Sequence, residues 1–201
     1  MLALPGRVAA RRDMPDKHVR RFHGEADRLR SPERIALLEV DRVVTLATEG
    51  LAAPRVLDVG TGTGIFAEAF AARGIAVAGI DVNPSLLETA RRLVAGVEFR
   101  EGAAEAIPYR DGTFDLAFLG HLLHEVDDPV AVLREARRVS TTRVVVLEWS
   151  YMQEEFGPPL EHRLRPDAIL DIAVRAGLGP VEYLRLAHMD LYRMALVSRK
   201  R

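Results

Sequence analysis

The stretch VLDVGTGTG, Val56 to Gly64, sets three glycines on alternate positions directly behind an apolar run that reads as a buried strand. A strand, a glycine turn and then a helix form the first unit of a parallel sheet covered on both faces. The same alternation continues outward from it. Arg55 to Val59 is the strand, and the following helix runs from about Gly64 to Arg73, with Gly74 as its stop. IAVAGI then leads into Asp81, and Asn83-Pro84 supplies a cap and a first-turn proline for a helix to about Val94. Further strands are expected at Val97 to Glu101, at FDLAFLG and at RVVVLEW, with a capped helix from Asp128-Pro129 to Val139 between the last two. A final helix, Asp167 to Ala176, ends at Gly177. The last β-like runs, VEYLRLA and LYRMALVS, are separated only by His188-Met189-Asp190, too short for a parallel crossover, so they pair as an antiparallel hairpin. The expected fold is α/β: a seven-stranded, mostly parallel sheet with one antiparallel strand and helices on both faces.

Ahead of this unit lies an Arg-rich stretch. Residues 1–30 read as a basic, non-periodic segment, with Met14 as an alternative start, and residues 31–201 as the folded domain. Ser31-Pro32 opens one helix, Pro32 to Leu46, with Ile35, Leu38, Arg42 and Val43 at helical spacing. His18 and His23 precede this helix, which is expected to serve as the N-terminal helical lid of the 31–201 domain. The 201 residues carry 28 basic and 29 acidic side chains, a net charge of −1, which creates no global field for nucleic acid or anionic membrane. No apolar run approaches the roughly 20 residues of a spanning helix, and a cytoplasmic location is expected. The absence of cysteine removes disulfides, thiolate nucleophiles and zinc–thiolate clusters. The sequence leaves a homodimer open.

In a doubly wound sheet the loop after the first strand lies at the point where strand order reverses, where ligands bind. Gly60, Gly62 and Gly64 let a backbone pass close under such a ligand. The dinucleotide fingerprint would need glycine where Ile65 stands, and no lysine and Ser/Thr follow Gly64 as a phosphate loop requires. Asp58, two residues before the turn, would repel a pyrophosphate but suits an ammonium and a sulfonium. Asp81, 21 residues beyond Gly60, is placed to accept hydrogen bonds from both hydroxyls of an unphosphorylated ribose.

Four runs, VLDVGTGTG, GIDVNPSLLETAR, EGAAEAIPYRDGTFDLAF and LLHEVDDPVAVLREARRV, follow one another as they do in class I S-adenosylmethionine-dependent methyltransferases. The chain resembles that Rossmann-like family over about Arg55 to Trp149, most closely the group with the ubiquinone and menaquinone biosynthesis methyltransferases. The resemblance implies that Asp58 and the backbone around Gly60, Thr61 and Gly62 hold the amino acid part of S-adenosylmethionine. It further implies that Asp81 binds the ribose, that Val82 packs on the adenine, and that Gly120 and His121 line the methionine moiety. The family's usual aspartate after the third strand is replaced by Ala103 in Gly102-Ala103-Ala104-Glu105, leaving the adenine to the Ala104 amide and packing.

Methyl transfer from a sulfonium asks the protein to align the acceptor and, where needed, to remove a proton. Candidate groups lie after the fourth and fifth strands: His124 as base with Glu125 as its orienter, and His162 with Arg163 in EFGPPLEHRL as an acceptor wall facing Trp149 and Tyr151. His121-x-x-His124-Glu125 has the wrong order for the histidine–glutamate zinc motifs, and no metal is expected. The expected function is methyl transfer to a small-molecule acceptor. The alternatives are a catalytically silent S-adenosylmethionine-binding regulator or scaffold and an NAD-dependent oxidoreductase.

Overall fold

The computed structural model describes residues 29–196. His18, His23 and the basic segment up to residue 28 lie outside the described residues. In chain order the elements are α1 (Pro32–Leu37), α2 (Val40–Thr48), β1 (Arg55–Val59), α3 (Ile65–Ala72), β2 (Ala76–Asp81), α4 (Pro84–Leu93) and β3 (Glu98–Glu101). There follow β4 (Phe114–Gly120), α5 (Pro129–Val139), β5 (Ser140–Trp149), a 3-10 turn (Leu160–His162), α6 (Pro166–Arg175), β6 (Leu178–Arg185) and β7 (Met189–Leu196).

The seven strands order as β3-β2-β1-β4-β5-β7-β6. All neighbouring pairs are parallel except those made by β7, which runs antiparallel to both β5 and β6. Three residues, 186–188, join β6 to β7, and such a link can only return the chain alongside itself. Chain order reverses between β1 and β4, so the loops leaving Val59 and Gly120 open side by side at one end of the sheet.

Side-chain alternation along the strands builds two layers. Leu57, Val59, Ala117, Leu119, Val144 and Val146 pack with α5 and α6. Val56, Leu116, Phe118, Val145, Leu147 and Trp149 pack with α2 and α3 on the other face. The same alternation sends Asp58 to the α3 side and Glu148 to the α5 side. Helix starts follow their capping chemistry: Asn83 Oδ1 accepts from the Ser85 and Leu86 amides, and Asp128 Oδ1 from Ala131 at 2.9 Å.

The single N-terminal helix expected over Pro32 to Leu46 is two. Glu39 takes a left-handed conformation (φ 44°) and breaks it, and its carboxylate accepts from the Ala187 amide of the β6–β7 hairpin (2.8 Å) and from Arg42 (2.9 Å). Those tertiary contacts offset a backbone cost of about 1–2 kcal/mol. Of the residues at helical spacing, Ile35 is exposed, while Leu38, just before the break, is buried.

Gly79 in β2 lies beneath the ring of Phe99, and a Cβ there would stand 2.7 Å from the ring and 2.9 Å from Thr61 Cγ2. Gly79→Ala is therefore expected to destabilise the fold by about 1–3 kcal/mol through overpacking, read as a lowered midpoint in urea unfolding.

Candidate active site

The turn after β1 is docked on β2 through its backbone. The amides of Gly60 and Thr61 both donate to Ile80 O at 2.9 Å, and the Gly62 amide donates to Asp81 Oδ2 at 2.8 Å. Asp81 Oδ1 accepts from the Asn83 amide at 2.8 Å, so one carboxylate ties the glycine turn to the start of α4. Gly60 and Gly62 need their positive φ (71° and 54°), and a Cβ on Gly60 would press on Leu122 at 2.9 Å. Asp58 lies fully buried behind the turn, accepting from Thr61 Oγ1 at 2.6 Å. Burial pushes its carboxyl up to about 7, against the hydrogen bonds from Thr61 and the Ala67 amide and with the charge of Asp81. Asp81 is raised as well, by burial, with the Asn83, Gly62 and Val82 amides resisting.

These groups form one end of a cavity of about 730 Å³. At the other end, Trp149 is the wall, only 3% exposed, with the His121 ring packed on it at 4.7 Å. His121 is a non-glycine residue in the left-handed region (φ 58°), and neither ring nitrogen has a hydrogen-bond partner among the described residues. Burial, then the charges of Arg34 and His124, hold it well below the ordinary imidazole range, so it is neutral.

His124 has the opposite character. Its Nδ1 lies 2.7 Å from Glu148 Oε2, its amide donates to Glu148 Oε1 at 3.2 Å, and its Nε2 stands 3.7 Å from Glu125 Oε1. Burial opposes the imidazolium, but the charge and hydrogen bond of Glu148, with Glu125 behind, outweigh it and raise the pKa. The partner expected for His124 was Glu125. The residue in hydrogen-bond contact is instead Glu148, because strand alternation turns the β5 carboxylate under the loop that follows β4.

Arg34 of α1 enters the same end, its guanidinium 5.8 Å from the Trp149 ring centre. The sequence pattern did carry a signal for it: Arg34 is one helical turn before the buried Leu38 and so shares its face. His162 lines the cavity, as does Pro158. Arg163, expected beside it on the acceptor wall, is buried instead. Its guanidinium donates to Pro158 O (2.9 Å), Ser150 O (3.0 Å) and Phe156 O (2.5 Å) and pairs with Glu154 (2.8 Å), which organises the whole 150–163 segment. Tyr151 is exposed and stacks under Arg165, away from the cavity.

Residues 57–145 match the family described as "Methyltransferase domain". A demethylmenaquinone methyltransferase of Renibacterium salmoninarum is 33% identical over 152 residues, 73% of this chain and 62% of that protein. Over residues 57–145 the chain carries a methyltransferase domain. A ubiquinone biosynthesis O-methyltransferase of Pseudomonas aeruginosa is 40% identical over 95 residues, 45% of this chain and 41% of that protein. The chain thus spans about three fifths of the length of the first of these relatives and less than half of the second. A methyltransferase structure from Aquifex aeolicus has the same fold, with a TM-score of 0.76 at 24% identity over 86% of this chain and 97% of that one.

Within the methyltransferase domain, Asp58, Gly60, Thr61, Gly62, Asp81 and Val82 all line the cavity, as do Ala104, Gly120, His121, His124 and Glu125. Two expected cofactor residues are off its wall. Gly64 starts α3 in a left-handed conformation, and a Cβ there would meet Phe99, Val94 and Ala90 at 3.2–3.3 Å, so that glycine serves helix–helix packing. Ala103 is taken up in a small bridge with Ala106. Among the described residues no group of three or more His, Asp or Glu is arranged to hold a metal ion, and no helix is long and apolar enough to cross a membrane.

Proposed function

We propose that this protein transfers a methyl group from S-adenosylmethionine to a small-molecule acceptor, with His124 as the residue that handles the acceptor's proton. The observation that carries this reading is Asp58: a buried carboxyl at the glycine turn, raised to about 7, with no cation among the groups acting on it. A ligand ammonium fits that requirement, and a pyrophosphate does not. The fit extends along the cavity: the positive-φ glycines leave the cradle open, Asp81 offers its remaining lone pairs to ribose hydroxyls, and Val82 presents an exposed apolar face for a base. When bound, S-adenosylmethionine supplies an electrophilic methyl group on a positively charged sulfur.

The chain's own residues then align and deprotonate the acceptor. Trp149 offers it a flat apolar wall. With Nδ1–H held by Glu148, His124 keeps Nε2 for the cavity and takes an acceptor proton there, while Glu125 stabilises the resulting imidazolium. The small-molecule class of acceptor is supported by the quinone-pathway names of the relatives.

Calorimetric titration with S-adenosylhomocysteine and with NADH separates this reading from an oxidoreductase, and a tritiated-methyl assay against an acceptor panel separates it from a silent scaffold. Micromolar S-adenosylhomocysteine affinity without NADH binding is the expected result. Affinity should also fall as pH drops from about 8 to 6, because Asp58 takes up a proton and loses its attraction for the ammonium. Tight NADH binding with no S-adenosylhomocysteine binding overturns the proposal.

A further inference from the structure

We infer that Arg34 is the anion anchor of the acceptor end, so that the methyl acceptor is an organic acid whose carboxylate lies against Arg34 and whose body lies on Trp149. This rests on the methyltransferase reading and goes beyond it by assigning the acceptor a charge.

The residue stands out by what it lacks. Two other arginines drawn into the fold are saturated: Arg163 has four partners, and Arg138 is held by Glu135, Asp111 and the carbonyls of Tyr109 and Ile107. Arg34 is the only arginine or lysine lining the cavity among the described residues, its Nε is buried without a hydrogen-bond partner, and it forms no salt bridge there. Burial works against its charge and Glu125 supports it only at longer range. A desolvated guanidinium left unpaired on a cavity wall is the condition that a ligand carboxylate relieves, and its planar fork matches a carboxylate in a bidentate manner.

Its position selects the acceptor over the cofactor. The groups that act on Arg34, or on which it acts, are Glu125, His121 and His124, and its plane lies near Trp149; Asp58 and Asp81 at the other end are not among them. Arg30, four residues earlier, donates to Thr63 O at 3.0 Å and pairs with Glu68, which fastens this part of the chain to the glycine turn and sets where Arg34 enters. Apart from the histidines, the other titratable side chains of the cavity wall, Asp58, Asp81, Glu105 and Glu125, are acids. An anionic acceptor is therefore drawn to the end that holds Arg34 and kept from the end that holds Asp58 and Asp81, which orients as well as binds it.

Trp149 is the sole tryptophan of the chain, so its fluorescence reports on this wall alone. Benzoate, trans-cinnamate and 1-naphthoate, each beside its uncharged amide, are titrated into protein saturated with S-adenosylhomocysteine, with calorimetry as the second readout. At least one acid is expected to bind about tenfold or more tightly than its amide, the size of one charge-assisted pair. Arg34→Gln should reduce that ratio to about twofold or less, Arg34→Lys should keep part of it, and both should leave S-adenosylhomocysteine affinity within about threefold. Unchanged circular dichroism and melting temperature establish that both variants fold. No acid preference in the wild type overturns the inference, as does a preference that survives Arg34→Gln. A tenfold loss of S-adenosylhomocysteine affinity in Arg34→Gln with the acid–amide ratio intact also overturns it, by giving Arg34 to the cofactor's own carboxylate. Failure of the wild type to bind S-adenosylhomocysteine fells the methyltransferase reading itself, a result visible before any acid is added.

Discussion

Asp81→Ala is expected to weaken S-adenosylhomocysteine binding by about 100-fold, measured by calorimetry at pH 7.5, where two lost charge-assisted hydrogen bonds of about 1.5 kcal/mol each give that factor. The carboxylate has two duties. Its oxygens already accept the Gly62 and Asn83 amides at 2.8 Å, and its remaining lone pairs face the cavity where the proposed ribose lies. Removing it releases the glycine turn from the head of α4 and removes the ribose acceptor together. Asp81→Asn keeps one acceptor oxygen and one of the two backbone bonds, and an intermediate loss of about tenfold is expected. A wild-type affinity in Asp81→Ala, with the fold intact by circular dichroism, would show that the cofactor lies elsewhere.

Glu148→Gln is expected to cost about 3 kcal/mol of folding stability at pH 6, the scale of breaking a buried ion pair from one side. The dependence on pH follows from His124, whose folded pKa is raised above its unfolded value. The pair's contribution is therefore fully present below the unfolded imidazole value of about 6.5 and is lost as pH rises through the raised folded value. The gap between wild type and Glu148→Gln should narrow from pH 6 to pH 9 in urea unfolding. The same pair shapes turnover. A base must be neutral to act, so kcat in the wild type should rise through a pKa above the ordinary imidazole range, and in Glu148→Gln that limb should move to lower pH. His124→Gln should remove the limb altogether and lower kcat by about 100-fold, the scale of one general base. A pH profile identical in wild type and Glu148→Gln would reduce Glu148 to a packing role.

How much of the site was legible in advance varies residue by residue. That Asp58, Gly60 and Asp81 share the cavity wall could be read because their positions depend on neighbours in the chain: a carboxylate before a glycine turn, and the end of the next strand. Glu148 and Arg34 could not be placed that way. Glu148 meets His124 across 24 residues, and Arg34 meets Trp149 through a helix whose break at Glu39 depends on the Ala187 amide, 148 residues away. Arg163 reads locally as one of three polar residues after two prolines, and only the folded segment shows four acceptors converging on it.

Periodicity and caps by themselves determined the alternation of strands and helices, the parallel sheet with its terminal hairpin, and the glycine turn at the point of reversal, since each depends on residues within one or two turns of chain. Only the tertiary structure decided which carboxylate holds His124, which glycine lines the cavity and which packs a helix, and that Arg34 stands beside the tryptophan without a salt bridge among the described residues. Those outcomes depend on which faces meet across the sheet, and burial there sets both the geometry and the charge of every group involved.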